Sequence, residues 1–328
     1  MKKKHRQRKP VMRGLRRPFE WLGILLGILV FTNLPHGALF RLCDFISAVM
    51  FFFDRRGRAA ALFNLRVIEG VYPPERCHKA EHDTPPTRRE QIILRRSYRN
   101  MARTIGHAFW TCRNARARVE SVGEMGQKGK DFLQANKPAV TVSGHIGCWE
   151  IMSQLAFLEG HLMMSVAKDI GTSGMTKLLM KARRSIGQEI VPADGAFRPL
   201  MKGLKEGKSL GLLVDQVVKA EDGGIWVRFF GRPIPVSAAP AFFAAKGKVP
   251  LIVAWSRPLK DGRYRCEAIS TYSATEARDV WGVTQRCLSD LERVIRRHPS
   301  CWVLNYNYFR KTPKPAELEQ LQEHEAKQ

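Results

Sequence analysis

The stretch from Ala139 to Met152, AVTVSGHIGCWEIM, contains a histidine and a glutamate whose spacing could support acid–base chemistry. Its pattern predicts a short buried strand, a turn with two glycines and the first turn of a helix. His145 lies in the predicted turn and Glu150 in the helix. A histidine oriented by a carboxylate can remove the proton of a hydroxyl and make that hydroxyl nucleophilic.

The five-residue spacing constrains this candidate pair. On one continuous helix, His145 and Glu150 would lie about 140° apart and face different directions. His145 must therefore stand in the Gly144–Gly147 turn, so that Glu150 can reach back to one imidazole nitrogen and leave the other free as a base. H-x4-E alone is a weak motif, because a lone histidine in a protein is more often structural.

The elements that must position the pair follow from the alternation of apolar and helical stretches after Lys137. This alternation predicts an α/β fold with a mostly parallel central sheet covered by helices. The predicted strands are Ala139–Ser143, Leu162–Ala167, Glu189–Pro192, Leu210–Val214 and Pro250–Trp255, with Tyr264–Ile269 as an edge strand; the predicted helices are Trp149–Leu158, Gly174–Ile186, Arg198–Glu206, Ala239–Lys246 and Thr284–Arg297. Sites in such sheets lie outside the carboxyl ends of the strands, where His145 and Asp215 both fall.

The charge of the chain is its most unusual bulk property. The 328 residues are 44% hydrophobic and carry a formal net charge of +25, with a pI near 10.2. Such a surface attracts an anionic partner, which could be nucleic acid, an anionic membrane, or an acidic protein or phosphorylated substrate. The seven cysteines are odd in number and include no C-x-x-C pair, which argues against a disulfide framework or a zinc site and for a reducing compartment.

The amino-terminal region predicts contact with a membrane. Residues 1–17 hold nine Lys or Arg, and the apolar runs Phe19–Leu34 and Ala38–Phe53 follow, interrupted near Pro35. Each run would be about 24 Å long as a helix, shorter than the roughly 30 Å hydrocarbon core. We therefore expect a re-entrant or in-plane helical pair; a signal peptide is the alternative, although no small-x-small cleavage site follows. The predicted organisation is a basic arm (1–17), a membrane-associated helical segment (18–54), an α/β domain (55–312) and a polar tail (313–328).

A basic helix is predicted over Arg89–Cys112. Its arginines are Arg95, Arg96, Arg99 and Arg103. They form either an ordinary solvated face or a platform for phospholipid head groups. In the second case, each charge near the membrane surface would contribute about 1 kcal/mol to membrane binding. The patch lacks interleaved aromatic residues, and no nucleic-acid motif accompanies it. We therefore do not expect nucleic acid as a partner.

Five blocks in order give the chain a recognisable family resemblance. SGHIGCWE, LKEGKSLGLLVDQ and VRFFGRPIPVS are preceded by a helix with Arg58, Asn64 and Leu65, and followed by IRRHPSCWVLNY. Together they resemble the lipid A late acyltransferase family, the lauroyl and myristoyl transferases of lipopolysaccharide biosynthesis, within the wider H-x4-D/E glycerolipid acyltransferase group.

The resemblance implies a membrane-bound enzyme that moves a fatty acyl chain from an acyl thioester to a hydroxyl of a phosphorylated glycolipid. It makes His145 the general base and Glu150 its orienting partner. The implied substrate-binding residues are Arg183, Arg184, Asp215, Gln216, Phe229, Phe230 and Gly231, of which the arginines would contact phosphate, Asp215 would organise the site and the Phe-Phe-Gly block would shape the floor of a groove. The turn amides of Gly144 and Gly147 are candidate oxyanion donors.

The same resemblance implies partners and a location. The donor would be acyl carrier protein or coenzyme A carrying the acyl chain, with no metal and no organic cofactor. The acceptor would be a lipid A precursor, and the enzyme would lie on the bacterial inner membrane with its catalytic domain facing the cytoplasm. The basic surface would then serve the acidic carrier protein, the glycolipid phosphate and the anionic membrane lipids alike.

Three alternatives stay open at this stage. The acceptor could be a lysophospholipid, an ornithine lipid or a mannosylated inositol lipid. The chain could instead be a non-enzymatic, basic, membrane-anchored adaptor. Finally, Cys148 lies three residues from His145, which admits a cysteine nucleophile.

Overall fold

The computed structural model describes residues 27, 29–73, 84–167, 184 and 187–327. The first part of the chain is helical, with α1 His36–Phe53, α2 Arg55–Ile68, α3 Arg88–Trp110 and α4 Ala115–Val122. Pro35 precedes α1, where its missing N–H costs nothing. Asp54 ends α1 and begins α2, its carboxylate accepting a hydrogen bond from the Gly57 N–H at 2.7 Å.

The centre of the molecule is a seven-stranded sheet, which confirms the predicted α/β class. The strands are β1 Gly123–Met125, β2 Val140–Ser143, β3 Met163–Ala167, β4 Gln188–Pro192, β5 Ser209–Leu213, β8 Leu251–Pro258 and β9 Tyr264–Tyr272, in the order β1-β9-β8-β2-β5-β3-β4. Strands β8, β2, β5, β3 and β4 run parallel, whereas β9 is antiparallel to β8 and pairs with β1 in parallel.

The helices cover both faces of this sheet. They are α5 Gln127–Ala135, α6 Trp149–Leu158, α7 Phe197–Lys205, α8 Ala239–Gly247 and α9 Val280–Arg297. Buried residues of α2, α8 and α9 form the larger apolar cluster with β2, β5 and β8. A smaller cluster joins α1, α3, α4 and α6 to the middle of β8 and the start of β9.

One predicted strand needs correction, and one sequence block forms a hairpin for which no conformation was predicted. Tyr264–Ile269 was expected to be an edge strand, but β9 runs on to Tyr272 and the three-residue β1 lies outside it. The VRFFGRPIPVS block forms a separate antiparallel hairpin, β6 Gly224–Phe229 and β7 Arg232–Ser237, turning at Phe230 and Gly231. The predicted helix Gly174–Ile186 lies outside the described residues apart from Arg184.

The carboxyl-terminal residues, predicted as a polar tail, form helix α10, Pro315–Ala326. Leu321 is buried in the main core, and the His324 ring stacks on Trp281 at 5.1 Å between centroids. Glu325 accepts a hydrogen bond from Nε of Arg228 at 2.5 Å. These contacts anchor α10 to the α/β domain.

Helix α1 packs along α3 through one face only. It buries Leu39, Cys43 and Ser47, spaced four residues apart, while Phe45 and Phe52 on other faces are exposed. Among the described residues, α1 alone is long and apolar enough to cross a membrane.

Candidate active site

The candidate site lies where β2 and β5 end side by side. These two strands are parallel neighbours, and Ser143 pairs with Leu213 in their register. His145 and Asp215 each follow two residues later, so the register brings them together at the carboxyl edge of the sheet. Gly144 permits this approach, because a Cβ there would stand 3.1 Å from the Asp215 carboxyl group.

His145 and Asp215 form a hydrogen-bonded dyad whose carboxylate is buried. Nδ1 of His145 lies 2.7 Å from Oδ1 of Asp215, and the His145 backbone N–H donates to Oδ2 at 2.8 Å. The Asp215 side chain is fully buried, whereas the His145 side chain keeps 19% of its surface exposed. With Nδ1–H donating to the carboxylate, the Nε2 atom of the neutral ring has a free lone pair that can accept a proton.

The electrostatics favour an ionised Asp215. Burial by itself would raise the pKa of this carboxyl group, but the charge and hydrogen bonds of His145, together with the Trp302 indole, outweigh burial and hold the pKa below its ordinary value. A carboxylate kept charged next to the ring stabilises the imidazolium that forms when Nε2 takes a proton.

Aromatic residues near the carboxyl terminus contact the buried carboxylate of Asp215. Nε1 of Trp302 donates to Oδ2 at 2.9 Å, and the Tyr308 hydroxyl lies 3.5 Å from the same oxygen. Phe229 and Phe230 are buried and pack on the Trp302 indole, with centroids 5.6 and 5.8 Å away. This pair therefore backs the residue that donates to Asp215, and its predicted role in shaping the floor of a groove stays a prediction.

The segment carrying Trp302 and Tyr308 is held by the first helices. Nδ2 of Asn64 donates to the carbonyls of Leu304 and Tyr306 at 2.7 Å each, and Ser97 Oγ donates to the Trp302 carbonyl at 2.5 Å. Asn64, one of the residues that carried the family resemblance, thus acts on the site through the backbone of this segment.

The same segment fixes the turn that carries His145. The Val303 N–H donates to the His145 carbonyl at 3.0 Å, and the Gly147 N–H donates to the Cys301 carbonyl at 2.8 Å. Because its amide is already engaged, Gly147 is not an available oxyanion donor in this geometry, contrary to the prediction. The role of the Gly144 amide stays a prediction.

Glu150 occupies the first turn of α6, as expected, but a different carboxylate meets Nδ1 of His145. That carboxylate is Asp215, so the orienting role predicted for Glu150 passes to Asp215 at this nitrogen. Oε1 of Glu150 accepts a hydrogen bond from the Trp149 indole at 3.1 Å, and the Trp149 ring lies edge-on to His145 at 5.1 Å.

The remaining predicted site residues are dispersed. Gln216 is half-buried beside Asp215, Gly231 is exposed in the β6–β7 turn, and Arg184 is exposed. Arg183 lies outside the described residues. The predicted phosphate contacts of the two arginines remain predictions.

The geometry agrees with what sequence comparison finds. The sequence profile of the bacterial lipid A biosynthesis acyltransferases matches residues 5–311. The chain belongs to this family. Two curated relatives, both phosphatidylinositol mannoside acyltransferases of Mycobacterium tuberculosis (strains CDC 1551/Oshkosh and ATCC 25618/H37Rv), are 24% identical over 176 residues, which are 52% of this chain. These residues cover 54% of each relative, so the chain spans about half the length of the curated relatives it matches.

Membership in this acyltransferase family confirms the resemblance carried by the five blocks. The site adds Trp302 and Tyr308, for which sequence reasoning assigned no role. The one signal for them was their place in or next to the closing IRRHPSCWVLNY block. Nothing in that block indicates that its aromatic side chains reach a carboxylate almost 90 residues away.

Trp302→Phe tests the aromatic support of the dyad. Loss of the indole N–H removes a charge-assisted hydrogen bond from Asp215, which we expect to lower kcat about tenfold while KM changes little. The pH–rate profile should shift as well, since Asp215 loses a donor that stabilises its charged form. Tyr308→Phe, which removes the longer contact, is the matched variant and should have the smaller effect; the reverse order would contradict this role for Trp302.

Cys148→Ala tests the cysteine-nucleophile alternative. The thiol is completely buried, and burial raises its pKa to about 12, so thiolate is scarce at neutral pH. We expect the variant to keep its turnover number and to lose about 1 kcal/mol of stability from the small cavity. The comparison variant is His145→Ala; equal losses of turnover in the two would restore the cysteine mechanism.

Proposed function

We propose that this chain is an O-acyltransferase that moves a fatty acyl chain from an acyl thioester, carried by acyl carrier protein, to a hydroxyl of a lipid A precursor. The observation that carries the proposal is the His145–Asp215 dyad at the carboxyl edge of the sheet in a member of this acyltransferase family. A hydroxyl is unreactive at neutral pH without a base, and Nε2 of His145 supplies one.

The residues support a direct transfer between donor and acceptor. Nε2 of His145 takes the hydroxyl proton as the oxygen attacks the thioester carbonyl, and Asp215 stabilises the resulting imidazolium. When the C–S bond breaks, the imidazolium returns that proton to the leaving thiolate. The step requires no covalent enzyme intermediate, and it leaves the dyad as it began.

The packing of α1 supports a location at the membrane surface. Asp44 is paired with Arg103 of α3 at 2.7 Å, and the Phe51 ring meets the Tyr98 ring at 5.2 Å, so α1 follows α3 over much of its length. Carrying α3 across a bilayer would bring its arginines into hydrocarbon, at about 2.5–3.5 kcal/mol each. This cost favours an in-plane α1 at the cytoplasmic face of the inner membrane, with the +25 charge toward the anionic leaflet.

A second acceptor has support from one comparison. The curated relatives are named phosphatidylinositol mannoside acyltransferases, which favours a mannosylated inositol lipid among the alternatives. The two candidate reactions share the dyad and differ only in whose hydroxyl approaches Nε2.

One experiment distinguishes the two acceptors from each other and distinguishes an enzyme from the non-enzymatic membrane-anchored adaptor. The purified chain is given acyl carrier protein or coenzyme A carrying a labelled acyl chain, with a lipid A precursor or a phosphatidylinositol mannoside as acceptor, and products are identified by mass spectrometry. Label in the lipid A precursor, lost in His145→Ala, supports the first proposal; label only in the mannoside supports the second. No transfer to either acceptor, with unchanged lipid A in a deletion strain, would overturn the first.

A further inference from the structure

A groove lies between α1, the start of α2 and α3. Its volume is about 840 Å³, within the range of roughly 300–1,000 Å³ typical of small-molecule sites. Phe51 and Ile92 are among its apolar lining residues. Five arginines also line it: Arg55, Arg58, Arg95, Arg96 and Arg99.

Some of the nearby positive charge is already engaged. Arg103, one turn beyond the groove, forms a two-pronged ion pair with Asp44, both distances being 2.7 Å. Arg58 donates to the carbonyls of Phe51 and Phe52 at the end of α1, and the Arg95 guanidinium lies over the Phe51 ring at 5.5 Å. These contacts satisfy the end of α1 and fix the shape of the groove.

Three groove arginines have no such engagement. Within the part of the chain that the structure describes, the side chains of Arg55, Arg96 and Arg99 form no hydrogen bond or ion pair. Nε of Arg99 is buried and has no acceptor among the described residues. Buried polar groups in proteins are nearly always hydrogen-bonded, so a buried N–H in the same groove as two unpaired guanidinium groups favours an anionic ligand.

The surface beside these charges is apolar. Phe52 and Phe53 line the groove and are 73% and 74% exposed, and Phe45 on the same helix is 67% exposed. Large exposed aromatic side chains beside a cationic groove match a ligand that joins a phosphate to hydrocarbon chains.

The groove is separate from the dyad. On α3, the side chains of Ser97, Asn100 and Thr104 donate to the carbonyls of Trp302, Ser300 and Gly147 near the active site. The groove residues of α3 lie about 120° around the helix from that face. Donor and acceptor sites next to His145 therefore do not account for the groove.

We propose that this groove binds one anionic phospholipid of the bilayer, with its phosphate between Arg55, Arg96 and Arg99 and its acyl chains against the exposed aromatic face of α1. The site goes beyond acyl transfer, because it uses no residue of the dyad. It would hold α1 and α3 to the leaflet and thereby set how His145 faces the membrane.

Native mass spectrometry of the full chain in a neutral detergent tests the proposal. Phosphatidylglycerol is expected to bind one per chain, at least tenfold more tightly than phosphatidylcholine. Arg55→Gln/Arg96→Gln/Arg99→Gln should remove that preference. Lys128→Gln/Lys205→Gln/Lys260→Gln, which removes the same charge from exposed positions elsewhere, should keep it. Equal loss in both triple variants would show a general charge effect and overturn the proposal.

The second test of the proposal is a substitution that fills the groove without changing its charge. Ala48→Trp projects into the groove and should abolish the bound phosphatidylglycerol, whereas Val49→Trp, at the next exposed position of α1 and outside the groove, should not. Retained binding in Ala48→Trp would overturn the proposal, as would displacement of the lipid by an equal concentration of inorganic phosphate. His145→Ala should bind the lipid normally, so failure of the proposed activity and failure of this site are distinguishable.

Discussion

Asp215→Asn is expected to lower kcat by about 10³–10⁴-fold with little change in fold. The carboxylate accepts the Nδ1–H of His145 at 2.7 Å and leaves Nε2 free for the proposed role as a base. An amide in its place can present N–H to Nδ1, which favours the tautomer with its proton on Nε2, where it cannot act as a base. Steady-state kinetics with acyl carrier protein as the donor, over a range of pH, measures the loss.

Two further variants isolate the cause of that loss. Asp290→Asn makes the same change at another buried aspartate, which accepts a hydrogen bond from the Tyr272 hydroxyl at 2.7 Å, and should leave turnover intact. Glu150→Gln tests the partner expected from the motif spacing and should cost less than Asp215→Asn. A Glu150→Gln loss of 10³-fold beside a nearly active Asp215→Asn would return the orienting role to Glu150.

Gly147→Ala is expected to destabilise the protein by about 3 kcal/mol or more and to abolish activity. Gly147 has φ +63°, and a Cβ there would lie 1.6 Å from the Ser256 carbonyl oxygen. Neither backbone can yield without moving the turn that carries His145. Thermal and urea unfolding measure the stability, and the transfer assay measures the activity.

Gly207→Ala supplies the matched control. Gly207 has φ +80°, yet no atom of the described residues lies within 4 Å of the position that its Cβ would take. This variant should lose only the roughly 1–2 kcal/mol of a left-handed alanine and remain active. Equal destabilisation of the two variants would mean that backbone strain alone, without the contact to Ser256, explains the effect at Gly147.

Much of the fold could be predicted because its signals are local. Apolar runs placed β2, β3, β4, β5 and the start of β8 within one or two residues, and α6 begins and ends where its pattern predicted. The hairpin β6–β7 and the short β1 were missed, and the packing of helix α10 on the α/β domain was not predicted. Each takes its conformation from pairing or packing with distant parts of the chain, such as β9 for β1 and Trp281 and Arg228 for α10.

The site, like the fold, has some features that depend on local sequence and others that depend on distant contacts. The sequence by itself determined that His145 stands in a glycine-bounded turn after a strand, that Asp215 ends another strand, and that the chain has the motifs of an acyltransferase family. Only the tertiary structure decided that β2 and β5 are neighbours with Ser143 opposite Leu213, which makes Asp215 the partner at Nδ1. It also brought Trp302 beneath that carboxylate. The physical reason is that strand order and register depend on non-local hydrogen bonds and packing, whereas Glu150 was favoured by its nearness along the chain and by the family resemblance.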